Sequence, residues 1–420
     1  MKRLKKKFLW TQLPIVYCLL LIGAFFLNST WVNAQTPITL QQAIDTALKN
    51  NLAIKNERLR TEYSQKLIRS GTIIPATNVF AEYGQMNSAY ADTKLGVSQT
   101  ISFPKVYASQ KSLFSEEWKS SVLQVGMQEA DLKRLVTVAF FNLSYLQKKK
   151  SILQEIDSLF EEFLDKATFR FNKGESNILE KTTAENQRGQ IGLQLAQLQR
   201  DWELQQLQFQ LLLNTTSDFV PGESEAVMTG ISIPDTGTIA SHPAMQYWRQ
   251  QQNIAAANTK AEQAKLLPDL SLGYNLMGMK GLGADDKEYN STPRFQSFQV
   301  GLGIPIFTGG QKARINASKI NEQVTANEYD VHLKSFTAEY ATAIKQFQKY
   351  DETVKYFENT ALKNAVVIQE TANKQFLSGE INFLDWVILI NQAISIQSDY
   401  TEAVRSKNLA VAELNFYNNQ

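Results

Sequence analysis

Two stretches of this chain run for nearly seventy residues with almost nothing to interrupt a helix. From Lys105 to Lys173 the only breaker is Gly126, and from Gln311 to Ser378 there is neither glycine nor proline. At about 1.5 Å per residue each stretch predicts a helix on the order of 100 Å long, several times the usual globular length. The second stretch carries apolar residues at Phe336, Tyr340, Ile344, Phe347, Val354, Phe357, Ala361, Ala365, Ile368, Ala372 and Phe376. Their spacing, in turns of three, four and seven, predicts one buried face of a helix in a coiled-coil-like layer. Gln, Asn, Lys and Glu fill the remaining faces.

Each long run ends at a glycine and restarts. Gly174 precedes a helix that opens near Asn177-Ile178-Leu179-Glu180 and reaches about Asn214, and Gly379 precedes one that opens near Asn382-Phe383-Leu384-Asp385 and reaches about Tyr417. Glycine just past one helix and Ser or Asn just before the next is stop-and-cap chemistry, so two helical hairpins are expected. Their turns lie 205 residues apart.

The intervening segments repeat as well. Asn50-Asn51-Leu52-Ala53-Ile54 opens one helical segment and Ser241-His242-Pro243-Ala244-Met245 its counterpart, closed by Ile73-Ile74-Pro75 and Leu266-Leu267-Pro268. Strand-like pieces follow. Leu270, Leu272, Tyr274 and Leu276 alternate with Ser271, Gly273 and Asn275, and Phe298, Val300, Leu302, Ile304 and Ile306 alternate with Gln299, Gly301, Gly303 and Pro305. Weaker versions lie at 77–86 and 95–103. A period near 200 residues indicates duplication of a helix–hairpin–helix–helix unit rather than a solenoid. The expected division is a first repeat over 35–214, a linker over 215–240 and a second repeat over 241–420.

Composition narrows the setting. The chain has 420 residues with 43 Lys+Arg against 41 Asp+Glu, a balance that does not suit a nucleic-acid binder. Lys2, Arg3, Lys5, Lys6 and Lys7 form a basic head before an apolar run from Ile15 to Leu27, and Val32-Asn33-Ala34 offers a small-residue cleavage site. Residues 1–34 are therefore read as a secretory signal, the run being shorter than the ~20 residues a spanning helix needs. Removing those five basic residues takes the net charge from +2 to −3. The single cysteine, Cys18, falls inside the signal and is followed by Leu19, the wrong context for a lipoprotein site, so the exported chain has no disulfide. Alternating strands of about ten residues suit either a small soluble sheet or tilted outer-membrane strands. Four strands cannot close a barrel, for which about eight are needed, so a membrane location requires several chains to share one.

The order of elements, the duplication, and the stretches Ile38-Thr39-Leu40-Gln41-Gln42-Ala43-Ile44, Pro305-Ile306-Phe307-Thr308-Gly309-Gly310 and Gly379 to Asp385 resemble the TolC-like outer-membrane efflux proteins. The resemblance spans 35–420. It implies a mainly α fold with membrane β structure: a long α-helical barrel below four β-strands per chain that close a 12-stranded β-barrel in a homotrimer. It further implies an outer-membrane location in a Gram-negative-type cell with a periplasmic helical extension, contact with outer-membrane lipid, and a periplasmic adaptor and inner-membrane pump as partners. The function expected is export of small molecules or ions. A helix over about 38–72 stacked end to end on 177–214 would match the length of one long run. The alternative is a periplasmic coiled-coil adaptor or structural protein without a pore, which has no reason to carry the alternating strands.

Glu175 and Glu380 follow the two turns directly, and Glu180 and Asp385 fall six residues on. Acids in a first helical turn favour the helix dipole and need no other role. Under the resemblance these turns form the periplasmic tip, and Asp385 matches an acidic constriction residue there. Ile388 stands where a second acid would be, so one ring is implied rather than two. Catalytic chemistry is not indicated. His242 precedes Pro243 at a helix start, where a capping or surface role is expected, and His332 stands alone on a long helix. Neither has a neighbouring His or Cys at metal-ligand spacing, and the Gly281-Leu282-Gly283 and Gly301-Leu302-Gly303 pairs extend to no nucleotide-binding pattern. No enzyme activity, cofactor or metal is expected.

Overall fold

The computed structural model describes residues 36–222 and 236–418; the stretch expected to be an export signal, and residues 223–235 of the expected linker, lie outside the described residues. In chain order the elements are β1 (Thr36–Ile38), α1 (Leu40–Asn50), α2 (Leu52–Leu67), β2 (Asn78–Gly84), β3 (Asp92–Ser102), α3 (Pro104–Asn172), α4 (Ile178–Leu213) and β4 (Phe219–Pro221). They continue with α5 (Pro243–Ala264), β5 (Asp269–Gly278), β6 (Gly281–Leu282), β7 (Glu288–Tyr289), β8 (Phe295–Gly303), α6 (Gly309–Tyr356), α7 (Leu362–Ser378) and α8 (Phe383–Tyr417). Among the described residues no helix is long and apolar enough to cross a membrane.

The first long run is one helix of 69 residues, Gly126 included. The second is also unbroken from Gly309 to Ser378, but Phe357–Ala361 are wound as a π turn between α6 and α7. The flanking dihedrals stay in the ordinary helical region, so this turn needs no glycine or proline to mark it. Of the apolar stripe, Phe336, Tyr340, Val354, Ala361, Ala365 and Ala372 are buried.

These helices make a row four wide. Near the turns the order is α4, α3, α8 and then α7 with the end of α6; near the sheet it is α2, α3, α5 and α6. The two long helices therefore run the full height, while α4 with α2 and α8 with α5 stand end to end beside them. The expected single helix over 38–72 is in fact two. Asn51 adopts an extended conformation between α1 and α2, and its side-chain oxygen accepts the Ala53 and Ile54 amides as the cap of α2. Asparagine competes well enough for those amides to end one helix and start another.

Four strands form one antiparallel sheet in the order β2-β3-β5-β8. Register places Val79 opposite Val97, Val97 opposite Tyr274 and Tyr274 opposite Phe298, so one face is apolar across all four strands. The other face pairs Ser98 with Gly273, Thr100 with Ser271, and Asn275 with Ser297. The last strand stops at Gly303, short of Ile304 and Ile306, because Pro305 supplies no N–H to a ladder. Two small pairings escaped sequence reading: parallel β1-β4 at mid-height, and the β6-β7 hairpin beyond the sheet.

Candidate functional site

The two hairpin turns are built alike. Gly174 and Gly379 have φ of +78° and +75°, the left-handed conformation that ends a helix with least strain when there is no Cβ. After each, the next amide folds back onto the helix: Glu175 N–H donates to the Arg170 carbonyl at 3.0 Å and Glu380 N–H to that of Gln375 at 2.9 Å. The following helices are capped identically, with Asn177 Oδ1 accepting the Glu180 amide at 3.1 Å and Asn382 Oδ1 accepting the Asp385 amide at 3.0 Å.

The acids in those first turns are not equivalent. The Glu180 carboxylate is 19% exposed, accepts the Ser176 hydroxyl at 2.6 Å and lies 3.6 Å from the Arg170 guanidinium. Asp385 is exposed, and its carboxylate has no partner among the described residues. Glu175 and Glu380 are exposed at the turn itself.

What joins the two hairpins is an aromatic cluster that the sequence reading did not assemble. Phe163 of α3 stacks on Phe383 at 4.2 Å and on Trp386 at 4.6 Å, with Phe376 at 5.3 Å, and Trp386 Nε1 donates to Asn373 Oδ1 at 2.8 Å. The signal lay in aromatic residues recurring three apart, Phe160 with Phe163 and Phe383 with Trp386. A cleft of about 490 Å³ opens beside the cluster, with Phe163, Phe169, Phe376 and Leu377 as its apolar walls and Arg170 and Glu180 among its polar lining. Phe169, Leu179, Leu377 and Ile388 stay exposed around it.

At the other end, the apolar face of the sheet is uncovered. Phe298 is 83% and Val300 73% exposed, with Leu270, Leu272, Leu302, Val79 and Tyr83 also open. Among the described residues, strands β2 and β8 each leave one edge without a partner. The helical row is open on both sides too: Leu193, Leu204, Leu207, Leu211, Leu59 and Tyr63 are exposed on α4 and α2, and Ile320, Val324, Val331 and Val366 on α6 and α7.

The histidines are structural. His242 caps α5, its Nδ1 accepting the Ala244 amide, and it is buried rather than on the surface, the other role expected for it. His332 is not solitary; it stacks on Trp248 of α5 at 3.7 Å. Among the described residues no three His, Cys, Asp or Glu side chains are grouped to hold a metal ion.

Comparison with known proteins gives a consistent picture. Residues 237–416 match the family model described as outer membrane efflux protein. The chain is 22% identical over 318 residues to outer membrane efflux protein BepC of Brucella suis, covering 71% of this chain and 68% of that one. Its fold is similar to the outer-membrane channel OprN (TM-score 0.76, 16% identity, 90% of this chain and 89% of that chain) and to CusC (TM-score 0.76, 16% identity, 93% and 95%). It is likewise similar to the open-state MtrE outer membrane channel of Neisseria gonorrhoeae (TM-score 0.72, 18% identity, 90% and 88%).

Proposed function

We infer that this chain, a member of the outer membrane efflux protein family, is the outer-membrane channel of a tripartite efflux system. The observation that carries the reading is the sheet: one largely apolar exposed face, one more polar face, and two edges unpaired among the described residues. In lipid an open edge leaves backbone groups without partners, and only closure removes it. Four strands per chain are too few, whereas three chains supply twelve. The helical row has the same need. It is four helices wide and open on both sides, so three copies supply a ring of twelve. We therefore propose a homotrimer with a 12-stranded β-barrel in the outer membrane, the apolar face toward lipid, above a periplasmic helical barrel. An adaptor or structural coiled coil without a pore has no use for an apolar sheet face.

Partners and cargo path follow from the two ends. The apolar cleft and exposed Phe169, Leu179, Leu377 and Ile388 at the turns are suited to a protein contact, which we assign to a periplasmic adaptor that in turn joins an inner-membrane pump. Each repeat, 35–214 and 241–420, contributes one hairpin to the tip and two strands to the barrel. Under threefold symmetry Asp385 becomes a ring of three carboxylates at the closed end, favouring cations. The test of assembly is extraction from outer membranes in mild detergent followed by mass measurement. A species of three chains is expected; a monomer, or fractionation with the inner membrane, overturns the channel reading.

A further inference from the structure

The end-to-end joints of the two repeats use the same geometry with different chemistry. In the first, Asn51 caps α2 by accepting the Ala53 amide at 2.9 Å while its Nδ2 donates to the Leu212 carbonyl at 3.0 Å, next to the last residue of α4. In the second, His242 caps α5 by accepting the Ala244 amide on Nδ1 at 3.2 Å, and its Nε2 meets the Phe416 carbonyl at 2.9 Å, next to the last residue of α8. These partners require the neutral tautomer with its proton on Nε2. Asn214 adds one more bond to the first joint, donating to the Asn50 carbonyl at 3.1 Å.

We propose that His242 makes the second joint an acid-released hinge, locked while the imidazole is neutral and loosened when it takes a second proton. Once protonated, Nδ1 has no lone pair to accept the Ala244 amide, so the cap of α5 is lost. The cation would also sit in an apolar pocket. His242 is 1% exposed and lies between the rings of Phe336 at 4.7 Å and Phe416 at 5.0 Å. The charged groups around it are already committed. Glu339 of α6 takes the Tyr417 hydroxyl of α8 at 3.3 Å, and Glu413 of α8 takes the Arg134 guanidinium of α3 at 2.8 Å. That guanidinium lies 5.5 Å from the Phe416 ring, adding positive charge nearby. Tyr340 of α6 is a neutral neighbour in the same buried cluster, and α5 has no acid of its own before Glu262.

Burial holds the imidazole below its ordinary titration range, opposed only in part by the bond to Phe416. A depressed folded value means that the stabilisation is present at neutral pH and is lost as pH falls through that value. Asn51 does not titrate, so the first joint holds throughout. Because α8 runs from this joint to the turn carrying Asp385, acid would free the tip-forming helix of the second repeat while leaving the first fixed.

The test is hydrogen exchange on the full-length assembled protein at about pH 7.5 and about pH 5, corrected for intrinsic exchange rates. Amides around 242–248 and 410–418 should open more readily at the lower pH, by up to about tenfold per pH unit between the ordinary imidazole range and the depressed folded value and levelling off below it, while those around 51–55 and 208–214 stay level. His242→Asn, which installs the chemistry of the first joint, should abolish the difference. A flat response at the second joint, an equal response at both joints, or a response that survives His242→Asn overturns the proposal. If the variant fails to assemble, comparing the two joints within the wild-type molecule decides the matter.

Discussion

The two halves of the chain share a front helix, a strand pair, a long helix and a return helix in the same order, yet they differ at both ends of that return helix. At the turn, the first repeat ties its acid down: Glu180 is held by Ser176 and Arg170 of its own hairpin. The second leaves Asp385 exposed, with only its backbone amide engaged. At the joint, the first repeat uses Asn51 and Asn214, neither of which titrates, and the second uses a buried histidine. The two joints and the two turns match in geometry, and on the proposal above small changes in side chain make one half a fixed frame and the other the half that responds. The long helix of the second repeat also contains the π turn at Phe357–Ala361, whereas α3 is regular along its whole length.

The largest effect should come from the cluster through which the two hairpins meet. Trp386→Ala removes its stacking on Phe163 and the bond to Asn373, and a buried aromatic truncated to Ala costs about 3–5 kcal/mol. Denaturant unfolding should show this loss, and hydrogen exchange should place it at the turns rather than at the joints. Next is the sheet. Leu272→Lys on the apolar face should cost ~2–4 kcal/mol if that face meets lipid, whereas Ser271→Lys on the opposite face should be mild, as read from the yield of assembled protein in outer membranes. Gly301, also on the polar face, is a poor control because an added Cβ would run into the Ser271 hydroxyl.

At the first joint, Asn51→Ala removes both the cap and the bond to Leu212, a loss of about 1–2 kcal/mol. Exchange should quicken near 51–55 and leave 242–248 unchanged, which would show that the joints act separately. The smallest change in stability, with the sharpest functional readout, concerns the acids. Asp385→Asn should weaken block by multivalent cations and lower cation selectivity in planar bilayers without destabilising the assembly. Glu180→Gln should do less, because that carboxylate is already occupied by Arg170 and Ser176. Equal effects would erase the distinction between the two turns.

Periodicity carried most of the fold. The breaker-free runs and the glycine turns appear where the spacing placed them, and so do the alternating strands except for Ile304 and Ile306 beyond the last one, since each follows from local backbone preference. Other features were not legible. The break at Asn51 looked like continuous helix because a capping asparagine is also tolerated within one. The π turn has ordinary dihedrals, and the β1-β4 pairing joins residues about 180 positions apart, across which no local pattern acts. At the turns, the positions of Asp385 and Glu180 were readable from their spacing to glycine. Their difference was not, because it depends on Arg170 lying one turn back across the hairpin.

The central claim, that several copies close one barrel edge to edge, can be tested by cross-linking. Cys18, in the stretch read as a signal, is the single native cysteine, which keeps the introduced pairs easy to follow. Val79→Cys on β2 is combined in turn with Phe298→Cys, Val300→Cys and Leu302→Cys on β8, all of which lie on the apolar face. After oxidation in outer membranes, at least one pairing should give covalent dimers and trimers on denaturing gels, with the trimer as the end point. Absence of intermolecular bonds in every register, or a ladder continuing past three chains, would contradict the closed trimeric barrel.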